Sequence, residues 1–319
     1  MAQLGSALVW GTRGRWFESS RPDHFSPGFS KVVEFPARGP SRLEAHWPGI
    51  FCLMTSILVT NDDGIQADGI RALAASLRFF GDVVVVAPDR ERSAASHALT
   101  LHAPLRIREI GTQEYSVDGT PADCVYLGAL QILGRKPDLV VAGINHGSNI
   151  GDDVTYSGTI AAALEGAILG IPSVAISQEA RSAVPRGAGS GRFDFGNASL
   201  VAQEIARGVL EEGLSSADIL LNVNVPVGPI HGTRYTRQGR RAYAESVHEG
   251  TDPRGSRYYW IGSGDTLHIE EDPDTDYMAV RDGFVSICPL HLDMTHYPSL
   301  EPMQECWSTV SASIKAVLG

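Results

Sequence analysis

Short runs of β-branched residues alternate with stretches of helical spacing along residues 54–226, and this alternation predicts βαβ units with a parallel sheet. The first run is Ser56–Thr60, and residues 83–87 form a second run without any polar interruption. An uninterrupted apolar run is typical of a strand that is buried on both faces. Between them, residues 70–80 carry apolar side chains on one face of a helix. The pattern predicts an α/β fold, a Rossmann-like three-layer sandwich with a mostly parallel sheet.

The same pattern places the remaining elements of this core. Helices are predicted at residues 123–133, 157–169 and 198–210, and strands at residues 139–142, 171–176 and 219–225. Pro226 marks a change to mixed charged and aromatic segments without a helical period. There we predict antiparallel strands or long hairpins at residues 235–247, 258–261, 267–269 and 284–287, followed by a terminal helix at 308–317. We expect these C-terminal elements to project from the core and to build subunit contacts.

The composition indicates a globular protein and argues against a nucleic-acid polymer or a membrane as partner. With 319 residues, 43% of them hydrophobic, the chain can bury a substantial core. A net charge of −11 argues against a nucleic-acid polymer as partner, because phosphate backbones require clustered Lys and Arg. The four cysteines lie far apart without a Cys-x-x-Cys pair, which favours a reducing cytoplasm. No apolar run approaches the roughly 20 residues that cross a bilayer, so we expect a cytoplasmic protein with no membrane partner.

The first 53 residues differ from everything that follows. They contain six Lys and Arg against four Asp and Glu, in a chain that is otherwise acidic, and they show no sustained period. We expect residues 1–53 to be a disordered extension or the product of a mis-called start, with translation beginning at Met54. Residues 54–319 would then be the functional domain, with an α/β core at about 54–226 and oligomerisation strands and a C-terminal helix at about 227–319.

Two adjacent aspartates, Asp62 and Asp63, come directly after the first strand. Neighbouring carboxylates repel each other, and each raises the pKa of the other unless a cation compensates. Mg²⁺ or Mn²⁺ would do so, since hard cations bind through carboxylates and substrate phosphate. The same residues could equally form a solvated turn, because Asn61 and Gly64 supply ordinary turn chemistry. From this segment alone, both interpretations stay open.

Polar loops follow three of the predicted strands, and ligands in open α/β sheets bind outside the carboxyl ends of strands. Besides the aspartates, the second loop offers Ser93 with Ser96 and His97, and the third offers Asn145 and Asn149. Carboxylate, hydroxyl and amide oxygens together could hold a hard cation and leave room for water and phosphate. The alternative is that the serines only cap a turn and that His97 is an ordinary loop histidine.

Ser157, Gly158 and Thr159 open the predicted helix at 157–169. The N–H groups at a helix start are unsatisfied and carry partial positive charge, which suits a phosphate. The alternative is that Ser157 and Thr159 are no more than N-cap residues.

Six motifs of the chain together form a recognisable set. They are ILVTNDDG at 57–64, VVVAPDRERSAASHALT at 84–100, GTPADC at 119–124, DLVVAGINHGSNIGDDVTYSGT at 138–159, DPRGSRYYWIG at 252–262 and TDYMAVRDGFVSICPL at 275–290. With these motifs the chain resembles the SurE family, the stationary-phase survival protein E nucleotidases, over essentially all of residues 55–297. Residues 293–297 depart from the pattern of many relatives, and the role of His296 there stays open.

The resemblance implies a divalent-metal-dependent phosphomonoesterase acting on nucleoside 5′- and 3′-monophosphates, in some members also on short polyphosphate. It implies the metal ligands Asp62, Asp63, Ser93 and Asn145, and we expect one Mg²⁺ or Mn²⁺ per subunit. It also implies a homodimer or homotetramer that exchanges C-terminal elements.

For the reaction, we expect in-line attack by a water that the metal activates, with Asp62, Asp63 and Asn61 as catalytic residues. Asn61 and the Ser157–Gly158–Thr159 helix start would bind the phosphate. Attack by an aspartate carboxylate is the mechanistic alternative. A haloacid-dehalogenase-type phosphatase would need Asp-x-Asp, and Asn61 occupies the first of those positions.

Two further classes of function make different demands on the sequence. A dinucleotide-binding oxidoreductase would need Gly-x-Gly-x-x-Gly, whereas Gly143, Gly147 and Gly151 are spaced by four. A non-enzymatic nucleotide or phosphate sensor uses the same kind of site without turnover, so it stays the alternative from a different class.

Overall fold

The structure is a computed structural model that describes residues 33–34, 55–180, 193–216 and 218–318. Met54 and nearly all of residues 1–53 lie outside the described residues, and the predicted extension with them.

One mixed sheet of ten strands forms the centre of the described chain, with the spatial order β1-β9-β12-β8-β7-β6-β2-β3-β5-β4. Its strands are β1 (Val33–Glu34), β2 (Ser56–Thr60), β3 (Asp82–Pro88), β4 (Ile107–Gly111), β5 (Glu114–Val117), β6 (Leu139–His146), β7 (Ser173–Gln178), β8 (Ile219–Val225), β9 (Gly232–Tyr235) and β12 (Phe284–His291). The five strands from β8 to β3 in that order run parallel. A separate antiparallel hairpin pairs β10 (Arg241–Thr251) with β11 (Arg257–Ile269).

The helices of the described chain are α1 (Asp68–Leu77), α2 (Pro121–Leu127), α3 (Gly158–Ile168), α4 (Gly196–Glu212), α5 (Asp276–Arg281), α6 (Leu300–Cys306) and α7 (Ser308–Leu318). Helices α1 and α4 cover one face of this sheet and α2 and α3 cover the other, whereas α6 and α7 bury no side chain in the described chain. Apolar side chains of α1 and α4 pack in one buried cluster, and those of α2 and α3 pack in another. The predicted three-layer α/β sandwich with a mostly parallel sheet is therefore confirmed. None of the helices among the described residues has the length and apolar character to span a membrane.

The first strand of the core shows how the two layers share the sheet. Ile57 and Val59 belong to the α1 and α4 cluster, whereas Leu58 belongs to the α2 and α3 cluster, as the alternation of a strand requires. All three are fully buried. Each such side chain stabilises the fold by about 1.5–3 kcal/mol, so the residues before Asp62 are held firmly at the centre of the sheet.

The helix predicted at 123–133 is interrupted. It begins at Pro121 behind a capping box, in which the Thr120 hydroxyl accepts from the Asp123 N–H at 3.1 Å. The α-helix ends at Leu127 and a π-helical turn, Gly128–Ile132, follows. At Gly128 a Cβ would lie 2.9 Å from a methyl of Leu58, so the chain packs here at a distance that only glycine allows.

The C-terminal strands divide into two groups. The β10–β11 hairpin stands apart from the main sheet, as predicted, and Tyr258, Tyr259 and Trp260 on it are exposed. The strand predicted at 284–287 was expected to project as well, and this expectation is wrong. As β12 it lies inside the main sheet, antiparallel to β8, because Val285 and Ile287 are buried in the core.

Candidate metal centre

The carboxyl end of β2 lies between those of β3 and β6. The strand β2 is parallel to both neighbours, with Thr60 paired to Ala142 of β6. The loops that follow the three strands therefore share one edge of the sheet, as predicted. The Arg92 N–H donates to the backbone carbonyl of Asp62 at 2.7 Å, which joins the second loop to the first.

Asp62 is a buried carboxylate held by the start of α3. Only 5% of the residue is exposed. The Thr159 hydroxyl donates to Oδ1 at 2.5 Å, and the Gly158 N–H donates to the same side chain. Burial raises the pKa of Asp62 because it disfavours the charged form, while these two hydrogen bonds oppose the rise.

Gly158 has to be a glycine because of this contact. A Cβ there would lie 2.6 Å from the Cβ of Asp62, closer than carbon atoms approach each other. The N-terminus of α3 can therefore reach the carboxylate only at a residue without a side chain.

Asp63 is half-buried next to it, and its pKa is raised to about 6. The largest cause is burial, followed by the negative charges of Asp62 and Glu91, while a hydrogen bond from the His146 N–H acts in the opposite direction. Within the described residues, no Lys or Arg forms an ion pair with either aspartate. The two carboxylates thus form a site of uncompensated negative charge, which a cation would stabilise.

The other predicted ligands lie on the neighbouring segments, Ser93 in the loop after β3 and Asn145 as the next-to-last residue of β6. Ser93 is exposed, and its hydroxyl donates to Glu91 at 2.8 Å. The amide nitrogen of Asn145 donates to the carbonyl of Gly147 at 2.8 Å, which leaves the amide oxygen as the atom for a cation.

Asn61 is fully buried in front of the aspartates. Its amide nitrogen donates to the Gly64 carbonyl at 3.0 Å, and its amide oxygen is buried without a hydrogen-bond partner among the described residues. A buried acceptor without a donor is costly, and it is the kind of atom that a bound cation or water would satisfy.

This donor set fits a hard divalent cation. The described residues contain no group of three or more His, Cys, Asp and Glu that could hold a metal. A set made only of carboxylate, amide and hydroxyl oxygens lacks the Cys and His ligands of a closed zinc site. These oxygens match Mg²⁺ or Mn²⁺, which usually bind one or two carboxylates and keep positions for water and substrate phosphate.

The helix start at Ser157 is occupied by protein groups. The Ser157 hydroxyl accepts from the Ile160 N–H at 3.1 Å, as an N-cap residue does. Thr159 is fully buried, and both its hydroxyl and the Gly158 N–H are engaged with Asp62. The structure thus shows these residues orienting a carboxylate, and their binding of a phosphate stays a prediction. This orienting role was not predicted, although a Gly followed by a Thr at the start of a helix can indicate it.

A buried amide network fixes the loop after β6. The Asn149 carbonyl accepts from the side-chain amides of Asn222 and Asn224 at 2.8 and 3.0 Å, and the Asn149 side chain donates to Ser177 at 2.8 Å. These side chains come from β7 and β8 and are fully buried. Asn149, a candidate ligand in the sequence, is held in this network through its backbone N–H, its backbone carbonyl and its side-chain nitrogen.

Residues from the C-terminal part hold the next turn of the same loop. The buried Asp276 accepts from the Gly151 N–H at 2.8 Å and from the Gly239 N–H at 3.0 Å. Gln238 donates to the Gly151 carbonyl at 2.7 Å. We call these contacts the Gly151 clamp. It ties the base of the hairpin to the segment that leads into α3.

We expect Asp63 to give the metal-free protein a characteristic pH dependence. Its pKa is about 6 in the folded protein against an ordinary 3.8, so across that window the folded protein binds a proton that the unfolded chain has released. The contribution of Asp63 to the free energy of unfolding should therefore fall as the pH rises from 3.8 to about 6. Denaturant titrations of the metal-free protein over this range measure it.

The Asp63→Asn variant is the matched control for that titration. It should lose this part of the pH dependence and be more stable than the metal-free wild type near neutral pH. Added Mg²⁺ or Mn²⁺ should raise the Tm of the wild type and leave the variant nearly unchanged. Identical pH profiles of the two proteins would contradict the raised pKa of Asp63.

This chain is similar to known proteins over most of its length. The family model described as SurE, survival protein SurE, matches residues 57–245. A 5′-nucleotidase SurE from Geobacter metallireducens is 54% identical over 252 residues, which cover 78% of this chain and 96% of that protein. A second, from Syntrophotalea carbinolica, is 52% identical and covers 79% of this chain and 97% of that protein. The crystal structure of a SurE protein from Aquifex aeolicus is 46% identical, with a TM-score of 0.68, and covers 79% of this chain and 99% of that chain.

Proposed function

The chain belongs to the SurE family, and we propose that it hydrolyses nucleoside 5′-monophosphates, and also 3′-monophosphates, to nucleoside and phosphate. Short polyphosphate is a further substrate in this proposal. The observation that carries it is the pair Asp62 and Asp63 at the carboxyl end of a central parallel strand, without a cationic partner among the described residues.

The metal of this enzyme is one Mg²⁺ or Mn²⁺ per subunit in our proposal, held by Asp62, Asp63, Ser93 and Asn145. The raised pKa values of the two aspartates support it, because such carboxylates gain most from a nearby cation. To bind the cation, the Ser93 hydroxyl would have to break its hydrogen bond to Glu91 and turn toward the aspartates.

When bound, the cation supplies positive charge against the phosphoryl oxygens and activates water as a nucleophile. Asp63 contributes its charge only when deprotonated, which its pKa of about 6 allows near neutral pH. Thr159 and Gly158 fix the orientation of Asp62 before substrate arrives. Such fixed charges lower the barrier without rearranging during the reaction.

Water is the nucleophile in this proposal, and the surroundings of Asp62 support it. Its carboxylate already accepts from the Thr159 hydroxyl and the Gly158 N–H, which lowers its reactivity toward phosphorus. Attack in line with the leaving oxygen then releases nucleoside and phosphate. A phosphoenzyme trapped on either aspartate would establish the carboxylate route instead.

The proposal is tested by phosphate release from a panel of nucleoside 5′- and 3′-monophosphates and short polyphosphates. We expect turnover with Mg²⁺ or Mn²⁺, loss of turnover on adding EDTA, and recovery when the metal is restored. Nucleotide binding without turnover of any phosphomonoester would contradict the enzyme and favour the sensor.

Oligomerisation through the C-terminal elements is also part of our proposal, as a homodimer or homotetramer. It is supported by apolar side chains that are exposed in the single chain. On α6 and α7 they are Leu300, Met303, Val310, Ile314, Val317 and Leu318, with Trp307 between the two helices. Exposed apolar surface of this extent marks an interaction site. A cytoplasmic location completes the proposal, in agreement with thiols of Cys124 and Cys288 that are free and buried.

A further inference from the structure

A cavity of about 430 Å³ lies between the N-terminal ends of α1 and α4. Its walls include Phe193 and Phe195 on one side and Asp68 and Arg71 on the other. A volume of this size is within the range of small-molecule sites. None of the roles assigned above uses these residues.

A short chain of contacts connects the cavity to the metal centre. The His146 N–H donates to the Asp63 carboxylate. The imidazole ring of His146 lies edge-on to the ring of Phe193, with centroids 4.1 Å apart. Phe193 in turn lines the cavity and packs against the buried Phe195, with centroids 4.7 Å apart. One histidine and one aromatic ring thus separate a proposed metal ligand from the cavity.

The chemistry of the cavity suits the uncharged end of a nucleotide. Phe193 is only half-buried, so part of its ring is available to a flat ligand, while Phe195 fixes its position. Asp68, Asp194 and Arg71 also line the cavity, so its described charged groups carry no net positive charge for a phosphate. Ribose hydroxyls are hydrogen-bond donors, and carboxylates accept from them.

We propose that the nucleobase of the substrate stacks on Phe193 when the phosphate is at the metal centre, which makes Phe193 a specificity-determining residue. This inference rests on the proposed nucleotidase activity. Stacking on an aromatic ring tolerates every base, because each base has a π-face. The enzyme is accordingly selective for nucleotides over other phosphomonoesters and has little preference among bases.

The test compares AMP with ribose 5-phosphate, which has the same phosphate and sugar but no base. In the wild type, kcat/KM should be higher for AMP, and Phe193→Ala should lower it for AMP by about tenfold through a higher KM. The same variant should leave ribose 5-phosphate nearly unchanged. Phe193→Tyr should keep AMP turnover, whereas Phe193→Leu, which keeps the apolar bulk without the ring, should behave like the alanine variant.

Phe79→Ala is the matched control, because Phe79 is a 64% exposed phenylalanine just beyond the opposite end of α1. It should change neither substrate. Equal losses on both substrates in Phe193→Ala would overturn the inference and leave Phe193 a structural role. Equal wild-type efficiency on AMP and ribose 5-phosphate would also overturn it, while the nucleotidase activity would stand. Absence of turnover on both would instead overturn the proposed function.

Discussion

Replacing Asp62 by asparagine is expected to lower kcat/KM for a nucleoside monophosphate by about 10³-fold. The change keeps the shape of the side chain and an oxygen for the Thr159 hydroxyl, so the fold should persist. It removes a full negative charge from a buried site where the two aspartates are the carboxylate ligands proposed for the cation. Steady-state assays over a range of Mg²⁺ and Mn²⁺ concentrations, with circular dichroism for the fold, measure the effect.

Asp82→Asn is the matched control for this variant. Asp82 is exposed and begins β3, at the end of the sheet opposite the metal centre. The same loss of charge there should leave kcat/KM within about twofold of the wild type, because exposed charges at such a distance are screened. If Asp62→Asn kept activity within tenfold of the wild type, Asp62 would not be a metal ligand.

Replacing Gly158 by alanine should lower kcat/KM by about 10²-fold, because the new methyl group would displace Asp62 without itself contacting the substrate. The added Cβ would lie 2.6 Å from the Cβ of Asp62, so either the aspartate or the start of α3 has to move. Overpacking of this kind costs about 1–3 kcal/mol, which outweighs the gain of up to about 1 kcal/mol from replacing a helical glycine. Activity assays measure the loss in kcat/KM, and thermal unfolding measures the loss in stability.

Gly208→Ala is the matched control, because the same substitution should here raise stability and leave activity unchanged. Gly208 lies inside α4, where a Cβ would meet no atom within 4 Å. This variant should gain about 0.5–1 kcal/mol in the free energy of unfolding and keep full activity. Full activity in Gly158→Ala would show that Asp62 tolerates displacement and would weaken its assignment as a ligand.

The parallel core and the gathering of the site loops could be predicted from the sequence because both follow from local pattern. Uninterrupted apolar runs mark buried strands, and the loops that follow parallel strands share an edge of the sheet. These two rules are enough to bring Asp62, Ser93 and Asn145 to one edge, and the fold has them at the carboxyl ends of three adjacent parallel strands, with Asn145 still within β6.

The details that tertiary packing decides could not be predicted. The hydrogen bond between Thr159 and Asp62 joins residues 97 positions apart, so no periodicity in the local sequence can indicate it. For the same reason the sequence predicts Thr159 only as a phosphate-binding residue and does not indicate its hydrogen bond to Asp62. The strand β12 joins the sheet because β8 has an edge free for pairing, and the sequence alone does not indicate with which strand edge a short strand will pair.

The pairing of β8 with β12, a strand that follows much later in the sequence, affects folding during synthesis. On its outer side, β8 pairs with β12, and residues 226–283 must be synthesised between the two. At about 5–20 residues per second, the ribosome needs roughly 3–12 s for this stretch. Throughout that interval a β8 strand already docked on β7 presents an open row of backbone N–H and C=O groups, the kind of edge at which chains aggregate. The growing polypeptide is thus open to misassembly at this edge from the completion of β8 until Phe284 leaves the ribosome.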